Sequence, residues 1–385
     1  MLEGMRPRAP RLRRPPAPFA ACVLALFGAC GALAVPLGWG PSRDAAAARL
    51  ARFGPVDTIT EGALRAHLRF IASDALQGRH ALSPGFRVAA EYVAAHLASI
   101  DAVPAGDAGG FLQRVPLDLT GLVSDAPVEA RGFSRAAEGA ESLRGDSWNV
   151  IAVIPGRDPE RAGEYVALGA HLDHLGQAPH RSLQDAIYNG ADDDGSGVVA
   201  LLAMAEAVAR GPRPRRSLLF VWHTGEEQGG FGARYFLDHP TVPIDRIVAQ
   251  LNLDMVGRSR ASADRDPRNA ALSRPGEIYL VGARRLGREL GDICERVSRE
   301  LPGLTLNDRY DDPADSTRIY ERSDHYEYAR RGIPSAFFFS GLHAEYHETS
   351  DEIGAIDFVK LRAVTQTVLA TAWALAEADA AGQAE

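Results

Sequence analysis

From residue 149 onward, short apolar segments alternate with longer segments whose apolar residues recur at helical spacing. The predicted strands are residues 149–154, 165–170, 217–223, 247–253, 277–281 and 335–339. The predicted helices are residues 197–210, 230–237, 285–300 and 357–376. Strands that alternate with helices are typical of a largely parallel sheet covered by helices on both faces. The pattern therefore predicts an α/β fold.

The segment before residue 149 predicts two further helices and one strand. Residues 57–100 have helical spacing, with Thr58 or Thr60 as a candidate N-cap and a second helix at 84–99. A strand is expected near residues 111–117. We interpret residues 57–380 as one folded α/β domain and residues 35–56 as a linker.

The first 34 residues have the order of a secretory signal. Five arginines between positions 6 and 14 precede an apolar run from Phe19 to Val35, and Ala32-Leu33-Ala34 forms an A-x-A cleavage site. We predict a signal peptide at 1–34, with an uncleaved membrane anchor at 19–38 as the alternative. Either interpretation places the protein outside the cytoplasm, in the periplasm or the extracellular space.

Composition restricts the chemistry of any site. The formal net charge is −8, so a nucleic-acid partner is not predicted. Cleavage of the leader would leave Cys294 as the remaining cysteine, and one cysteine makes neither an internal disulfide nor a cysteine-based zinc site. A metal site would therefore use histidine and carboxylate ligands.

Acidic and histidine side chains collect where predicted strands end. They are His171 and Asp173, the Asp192-Asp193-Asp194 triplet, Glu226 and Glu227, Asp254, and the loop with His343, His347 and Asp351. Each group alone has an ordinary explanation, such as helix capping by the Asp triplet. Ligands of an open α/β sheet gather at the carboxyl ends of its strands. The combination predicts one shared site.

Two histidines and three carboxylates suit Zn²⁺, with Mn²⁺ or Co²⁺ as substitutes. A single catalytic zinc uses three protein ligands and a water, so five ligands exceed its needs. If one carboxylate bridges two ions, each ion has three protein ligands and a further carboxylate is free to move protons. This arrangement indicates a two-metal hydrolase. A serine hydrolase is not indicated, because the chain has no G-x-S-x-G motif after a strand.

The ordered motifs resemble the co-catalytic di-zinc aminopeptidase family of the secreted bacterial leucyl type. Its distant relatives include glutamate carboxypeptidase and glutaminyl cyclase. The matching segments are Ala170-His171-Leu172-Asp173, Gly190 to Gly197, Gly225-Glu226-Glu227, Asn252-Leu253-Asp254-Met255, Ser323-Asp324-His325 and Tyr346-His347. The resemblance implies the zinc-dependent exopeptidase fold, a three-layer α/β/α structure with a mixed, largely parallel sheet. The 118–148 segment is too short for the protease-associated domain that many relatives insert there.

The resemblance also implies a role for each matching residue. His171 and Asp254 would bind one zinc ion, Glu227 and His347 the other, and Asp193 both. Three further residues would support the ligands: Asp173, expected to accept a hydrogen bond from His171, and Asp324 and His325. His174 and His343 are candidates for the pocket lining.

Glu226 would be the general base. Two zinc ions would share a water molecule, and Glu226 would take its proton and pass it to the leaving amine. The family's oxyanion donor matches Tyr320, which we favour slightly, or Tyr346.

The implied activity is release of the N-terminal residue from peptides with a free N-terminus. The alternatives on the same fold are a carboxypeptidase and a glutaminyl-cyclase-like zinc acyltransferase. A metal-free binding module would have lost ligands or the base, and this sequence retains all of them. Membrane contact is expected only through the N-terminal segment.

Overall fold

The computed structural model describes residues 52–120, 144–178 and 185–379. The predicted leader at 1–34, the alternative anchor at 19–38 and most of the predicted linker lie outside these residues. The end of the linker is described, and there Phe53 and Val56 are buried in the core. The folded part therefore includes residues that we assigned to the linker, because burial of apolar side chains stabilises their position. Among the described helices, none is both long and apolar enough to cross a membrane.

Two capped helices open the described chain. Helix α1 spans Glu61–Ile71, and the Thr60 hydroxyl accepts from the backbone N–H of Ala63 at 3.2 Å. Of the two candidates, Thr58 and Thr60, it is Thr60 that caps this helix. Helix α2 spans Pro84–Ser99, and the Ser83 hydroxyl accepts from the N–H of Phe86 at 3.2 Å.

The strands and the remaining helices follow in chain order. The strands are β1 Val103–Pro104, β2 Leu112–Asp118, β3 Arg144–Ile154, β4 Tyr165–His171, β5 Gly176–Gln177, β6 Ile187–Tyr188, β7 Ser217–His223, β8 Ile247–Leu253, β9 Glu277–Val281, β10 Thr305–Asn307 and β11 Ser335–Phe339. The helices are α3 Gly195–Arg210, α4 Phe231–Asp238, α5 Glu289–Glu300, α6 His325–Ala329 and α7 Phe358–Glu377.

The large sheet has a parallel centre and antiparallel margins. Its order is β1-β3-β7-β4-β8-β11-β9-β10, with β2 paired to β3. Strands β7, β4, β8 and β11 are mutually parallel, whereas β3 is antiparallel to β7 and β9 is antiparallel to β11. The carboxyl ends of the four central strands therefore meet at one edge of the sheet.

Helices cover both faces of this sheet. On β7, Leu218, Phe220 and Trp222 belong to the core that includes α1, α2, α3, α5 and α7. The alternate residues Leu219 and Val221 belong to the opposite core, with residues of α4 and α6. Successive side chains of a strand point to opposite faces. This alternation confirms the predicted three-layer α/β/α architecture.

The largest difference from the predicted helices is at α5. We expected a helix over 285–300, but α5 begins at Glu289. Gly282 and Gly287 have positive φ, so the chain turns before the helix begins. The short elements β1, β5, β6, β10 and α6 were not predicted, since two to five residues are too few to show a period.

Arg79 connects the N-terminal helices to the sheet edge where the central strands end. Its guanidinium, 1% exposed, donates to the backbone carbonyls of Leu172, Ile71, Asn189 and Gly190 at 2.6–3.0 Å. These bonds hold the end of β4 and the start of the 189–194 loop against α1. A charged donor that bonds four carbonyls fixes the relative position of three chain segments.

We expect Arg79→Met to lower the free energy of unfolding by about 3 kcal/mol or more, because several buried carbonyls lose a charged donor. Arg69→Met is the control, since Arg69 is an exposed residue of α1. Its effect should stay below about 1 kcal/mol, as for most surface substitutions. Urea unfolding of both variants checks this. Equal losses in the two variants would contradict the role given to Arg79.

Candidate metal centre

Parallel strand ends bring the site together. Strand β4 ends in His171, β8 runs directly into Asp254, and the turn after β7 carries Glu226 and Glu227. The 189–194 loop before α3 and the loop after β11 complete the edge. Residues far apart in the chain thus become neighbours because their strands are neighbours.

Asp193 lies between two groups of ligand-type atoms. Its Oδ1 is 3.2 Å from His171 Nε2, which is 3.6 Å from Asp254 Oδ1. Its Oδ2 is 3.2 Å from His347 Nε2, which is 3.2 Å from Glu227 Oε2. The two oxygens of one carboxylate therefore face different groups, each with one histidine and one further carboxylate.

Two other carboxylates hold the backbone around Asp193. Asp351 accepts from the N–H of Asp192 and from that of Asp193, both at 3.0 Å. Asp194 accepts from the N–H of His171 at 3.1 Å and caps α3 at the N–H of Gly197. The peptide bond between Asp193 and Asp194 is cis.

The position of the His171 ring is set by a backbone group. His171 Nδ1 lies 3.1 Å from the carbonyl oxygen of Asp173. A carbonyl only accepts, so this bond requires a proton on Nδ1 and leaves Nε2 free as a ligand. The geometry differs from our expectation, since the Asp173 carboxylate instead accepts from the N–H groups of Glu226 and Glu227 at 3.2 and 3.3 Å. It thereby orients the turn after β7.

His174 has a closer contact in the site than the sequence indicated. We considered it only for the pocket lining, but its Nδ1 lies 2.7 Å from Glu227 Oε1. Glu227 therefore shares its two oxygens between His174 and His347. The only sequence signal for His174 is its position, three residues after His171 in the loop at the end of β4.

Among the residues of the Ser-Asp-His motif, Ser323 makes the direct contact. Its hydroxyl donates to Asp254 Oδ2 at 2.8 Å and accepts from the Asn252 amide at 2.8 Å. Asp324 and His325 are buried, and within the described residues their side chains have no hydrogen-bond partner. The His325 ring stacks on Phe337 with centroids 4.7 Å apart. Support of the ligands by these two residues stays a prediction.

The two candidate tyrosines lie in different surroundings. Tyr320 packs closely on Gly282, and the Arg285 guanidinium lies 4.7 Å from its ring centroid. The residues on either side of it, Ile319 and Glu321, line the cavity instead. Our slight preference for Tyr320 is therefore not supported by the geometry.

Tyr346 lines the same cavity as Asp193 and Glu226. Its ring stacks on His347 with centroids 3.8 Å apart, and its hydroxyl accepts from Arg322 at 3.3 Å. Burial raises the pKa of Tyr346 well above its ordinary value, and the charge of Asp193 adds to this shift. The phenol therefore keeps its proton and is able to donate a hydrogen bond.

Carboxylates outnumber the histidines of this region. Eight of them are buried, namely Asp173, Asp192, Asp193, Asp194, Glu227, Asp254, Asp324 and Asp351. Burial raises the pKa of Glu226 well above its ordinary value, and the nearby charges of Asp254 and Glu227 raise it further. Burial alone would lower the pKa of His347, but Glu227 and Asp193 raise it to about 10. The site thus favours an added positive charge.

A metal ion fits these donors. The ligand-type atoms of His171, Asp193 and Asp254 lie within 4.8 Å of one another, as do those of His174, Asp193 and Glu227. The Oδ1 atom of Asp254 is buried and has no hydrogen-bond partner within the described residues. Buried carboxylate oxygens without a donor are costly unless they bind a cation. Imidazole and carboxylate groups together suit zinc.

Comparison with known proteins places the chain in a family. The model of peptidase family M28 matches residues 149–372, which is more than half of the chain. The chain belongs to peptidase family M28. The matched segment begins in β3 and ends within α7, so it contains every residue of the site described above. The family predicted from the ordered motifs is confirmed.

Two similar proteins have names that state an activity. The chain is 28% identical over 248 residues to leucine aminopeptidase 1 of Trichophyton equinum, covering 60% of each chain. It is 27% identical over 264 residues to leupeptin-inactivating enzyme 1 of Streptomyces exfoliatus, covering 67% of this chain and 50% of the relative. The chain thus spans only part of the length of these relatives.

Solved structures of similar proteins share the fold. The LapA aminopeptidase of Legionella pneumophila has a TM-score of 0.59 at 17% identity, over 90% of this chain and 78% of that one. BSAP, a zinc aminopeptidase from Bacillus subtilis, has a TM-score of 0.56 at 17% identity, over 84% of this chain and 97% of that one. At these identities the likeness concerns the architecture, and it confirms the predicted exopeptidase fold.

We expect Asp254→Asn to remove most of the stabilisation that zinc gives to this M28 chain. Burial and Asp193 raise the pKa of Asp254 above its ordinary value, so its ionised form opposes folding without a cation. In chelator, the variant should therefore be at least as stable as the wild type. When the free zinc concentration is 100 times the dissociation constant, binding at one site adds about 2.7 kcal/mol to the free energy of unfolding. The variant should gain less than this from zinc.

Urea unfolding in chelator measures the stability of each variant without metal. Urea unfolding with added zinc measures the stabilisation that zinc gives to each variant. Asp245→Asn is the control, because Asp245 is exposed and precedes β8 on the opposite edge of the sheet from the site. If zinc stabilises Asp254→Asn as much as it stabilises the wild type and the control, Asp254 is not a ligand.

Proposed function

We propose that the protein is a zinc-dependent aminopeptidase that hydrolyses the N-terminal peptide bond of peptides and uses two zinc ions. The observation that carries this proposal is the position of Asp193, whose two oxygens face separate histidine–carboxylate groups at 3.2 Å each. A carboxylate that serves two groups in this way is the bridge that a two-metal hydrolase requires.

The ligands divide between two ions. His171 and Asp254 would hold one ion, Glu227 and His347 the other, and Asp193 would serve both. Each ion then has three protein ligands, the usual number in a catalytic zinc site. Mn²⁺ or Co²⁺ would be acceptable substitutes, because the donors are imidazoles and carboxylates.

The bound zinc ions would polarise the scissile carbonyl and lower the pKa of a bound water towards about 7. Glu226 lines the cavity beside Asp193, Glu227 and Asp254 and is the base for this chemistry. It would take the proton of the attacking water and deliver it to the leaving amine. Tyr346 lines the same cavity, and its protonated hydroxyl would donate to the developing oxyanion.

The cavity beside the site fits an apolar residue. Its volume is about 690 Å³. Apolar side chains form part of its wall, and these are Met255, Ile319, Phe337, Phe339 and Leu342. Such a wall favours a substrate whose first residue is aliphatic or aromatic, since burial of that side chain is favourable.

The relatives support an aminopeptidase more than the alternatives. Two relatives are named leucine aminopeptidase 1 and leupeptin-inactivating enzyme 1, and neither name refers to a carboxypeptidase or a cyclase. The five ligand candidates are all retained, which favours two ions and hydrolysis over a single-zinc acyltransferase. Export to the periplasm or the extracellular space is the location that the predicted leader supports.

We expect purified protein to cleave aminoacyl-p-nitroanilides with a free amine and to leave the N-acetylated forms intact. Leucyl, phenylalanyl, glutamyl and lysyl substrates form the panel, and the apolar pair should give the higher kcat/KM. Peptides with a blocked N-terminus and a free carboxyl terminus serve as the control for carboxypeptidase activity. Cleavage of neither nitroanilide series by a zinc-loaded sample would contradict the proposal.

Glu226 and Glu227 are neighbours with different predicted roles, so their alanine variants form a matched pair. Glu226→Ala should keep the wild-type zinc content and lower kcat by about 10²- to 10⁴-fold, because the base is lost. Glu227→Ala should lose bound zinc and activity together. Elemental analysis with steady-state kinetics measures both effects. Loss of zinc from Glu226→Ala, or full zinc retention by Glu227→Ala, would overturn the assignment.

A further inference from the structure

We propose a third metal site in the helical layer, where His67, His96 and Glu206 bind one Zn²⁺-like ion. These residues belong to three different helices, since His67 lies on α1, His96 on α2 and Glu206 on α3. One ligand atom from each lies within 4.8 Å of the other two. The site is separate from the catalytic centre and does not depend on its proposed activity.

The position of Glu206 leaves one of its carboxylate oxygens available to bind a metal ion. Its Oε1 accepts from Arg210, one turn further along α3. Its Oε2 lies 3.8 Å from His96 Nε2, which is too long for a hydrogen bond. Within the described residues, His96 Nε2 is buried and has no hydrogen-bond partner. A buried ring nitrogen and a carboxylate oxygen thus face each other without a direct bond, as two ligands of one ion do.

The second histidine is held by its neighbours. His67 Nδ1 lies 2.9 Å from the Tyr92 hydroxyl, and the Tyr92 ring stacks on Phe70 with centroids 4.2 Å apart. The rings of His67 and His96 meet edge to face at 4.8 Å. A partner on one ring nitrogen fixes the orientation of a ligand histidine and leaves the other nitrogen for the metal.

Both histidines favour the neutral form that binds metal. Burial lowers the pKa of His67, and so does the nearby His96. Burial likewise lowers the pKa of His96, although Glu206 opposes this shift. Neutral imidazoles therefore meet one carboxylate at neutral pH.

The donor set selects the class of ion. Two imidazoles and a carboxylate suit Zn²⁺ and similar first-row ions, whereas Ca²⁺ and Mg²⁺ prefer oxygen ligands alone. An ion held here would join α1, α2 and α3. Glu206 is 12 residues after Asp194 along α3, which corresponds to about 18 Å at 1.5 Å per residue. The ion would therefore be distinct from those at Asp193.

The test counts zinc in the full-length protein after equilibration with zinc and removal of the excess. His96→Asn and Glu206→Gln should each hold one ion fewer per chain than the wild type and keep its peptidase activity. His239→Asn is the control, because His239 is an exposed histidine that stacks on Tyr235 elsewhere in the fold. It should keep the wild-type zinc content.

The difference between variants is independent of the number of catalytic ions, so failure of the proposed function would not affect it. Cobalt absorption provides a second measurement, in which one four-coordinate Co²⁺ signal should disappear from both variants. The proposal is overturned if His96→Asn and Glu206→Gln retain the wild-type ion count, or if His239→Asn loses an ion as they do.

Discussion

The structure depends on the cost of gathering carboxylates in a buried place. Asp193, Asp254 and Glu227 lie close together at the sheet edge, with Asp173 and Asp324 nearby and little contact with solvent. Like charges in a medium of low polarity repel strongly unless a cation or a hydrogen-bond donor compensates them. The surrounding structure supplies part of that compensation through histidines and backbone N–H groups. The remainder is what makes the edge a binding place for cations.

The surrounding structure holds the carboxylates together mainly through hydrogen bonds to the backbone of the segments that carry them. Asp351 and Asp173 accept from N–H groups of the segments that carry Asp193 and Glu227. Arg79 holds the start of the 189–194 loop through backbone carbonyls. Because most of these bonds go to main-chain atoms, the ligand side chains remain available. Residues outside the site thus hold in position carboxylates that repel one another.

The two kinds of histidine site in this protein illustrate the same principle at different strength. At the sheet edge, strand ends converge and several carboxylates share one small volume. In the helical layer, His67, His96 and Glu206 meet where three helices pack, with a single carboxylate. Several buried carboxylates at the sheet edge need a cation to offset their repulsion. The single carboxylate in the helical layer does not need one, although its neighbouring histidines could bind one with it. Both sites are proposals, and their separation along α3 would allow one chain to use similar ligands for catalysis and for joining helices.

The sequence by itself determined the architecture and the residues at the strand ends. The alternation of apolar runs and helical spacing is local, so the central strands and long helices were predicted to within a few residues. The ordered motifs identified the family for the same reason, since each motif is a short continuous segment. His171, Glu226, Glu227 and Asp254 follow their strands as expected, and their roles remain predictions.

Only the tertiary structure decided which side chains face each other. It directed Tyr346 and not Tyr320 to the cavity, and it used the Asp173 carboxylate for backbone N–H groups instead of the His171 ring. It also brought His174 to Glu227 and His67 to His96. Such contacts depend on the rotation of each element about its axis and on the packing of residues distant in the chain. Periodicity within one segment carries no information about either.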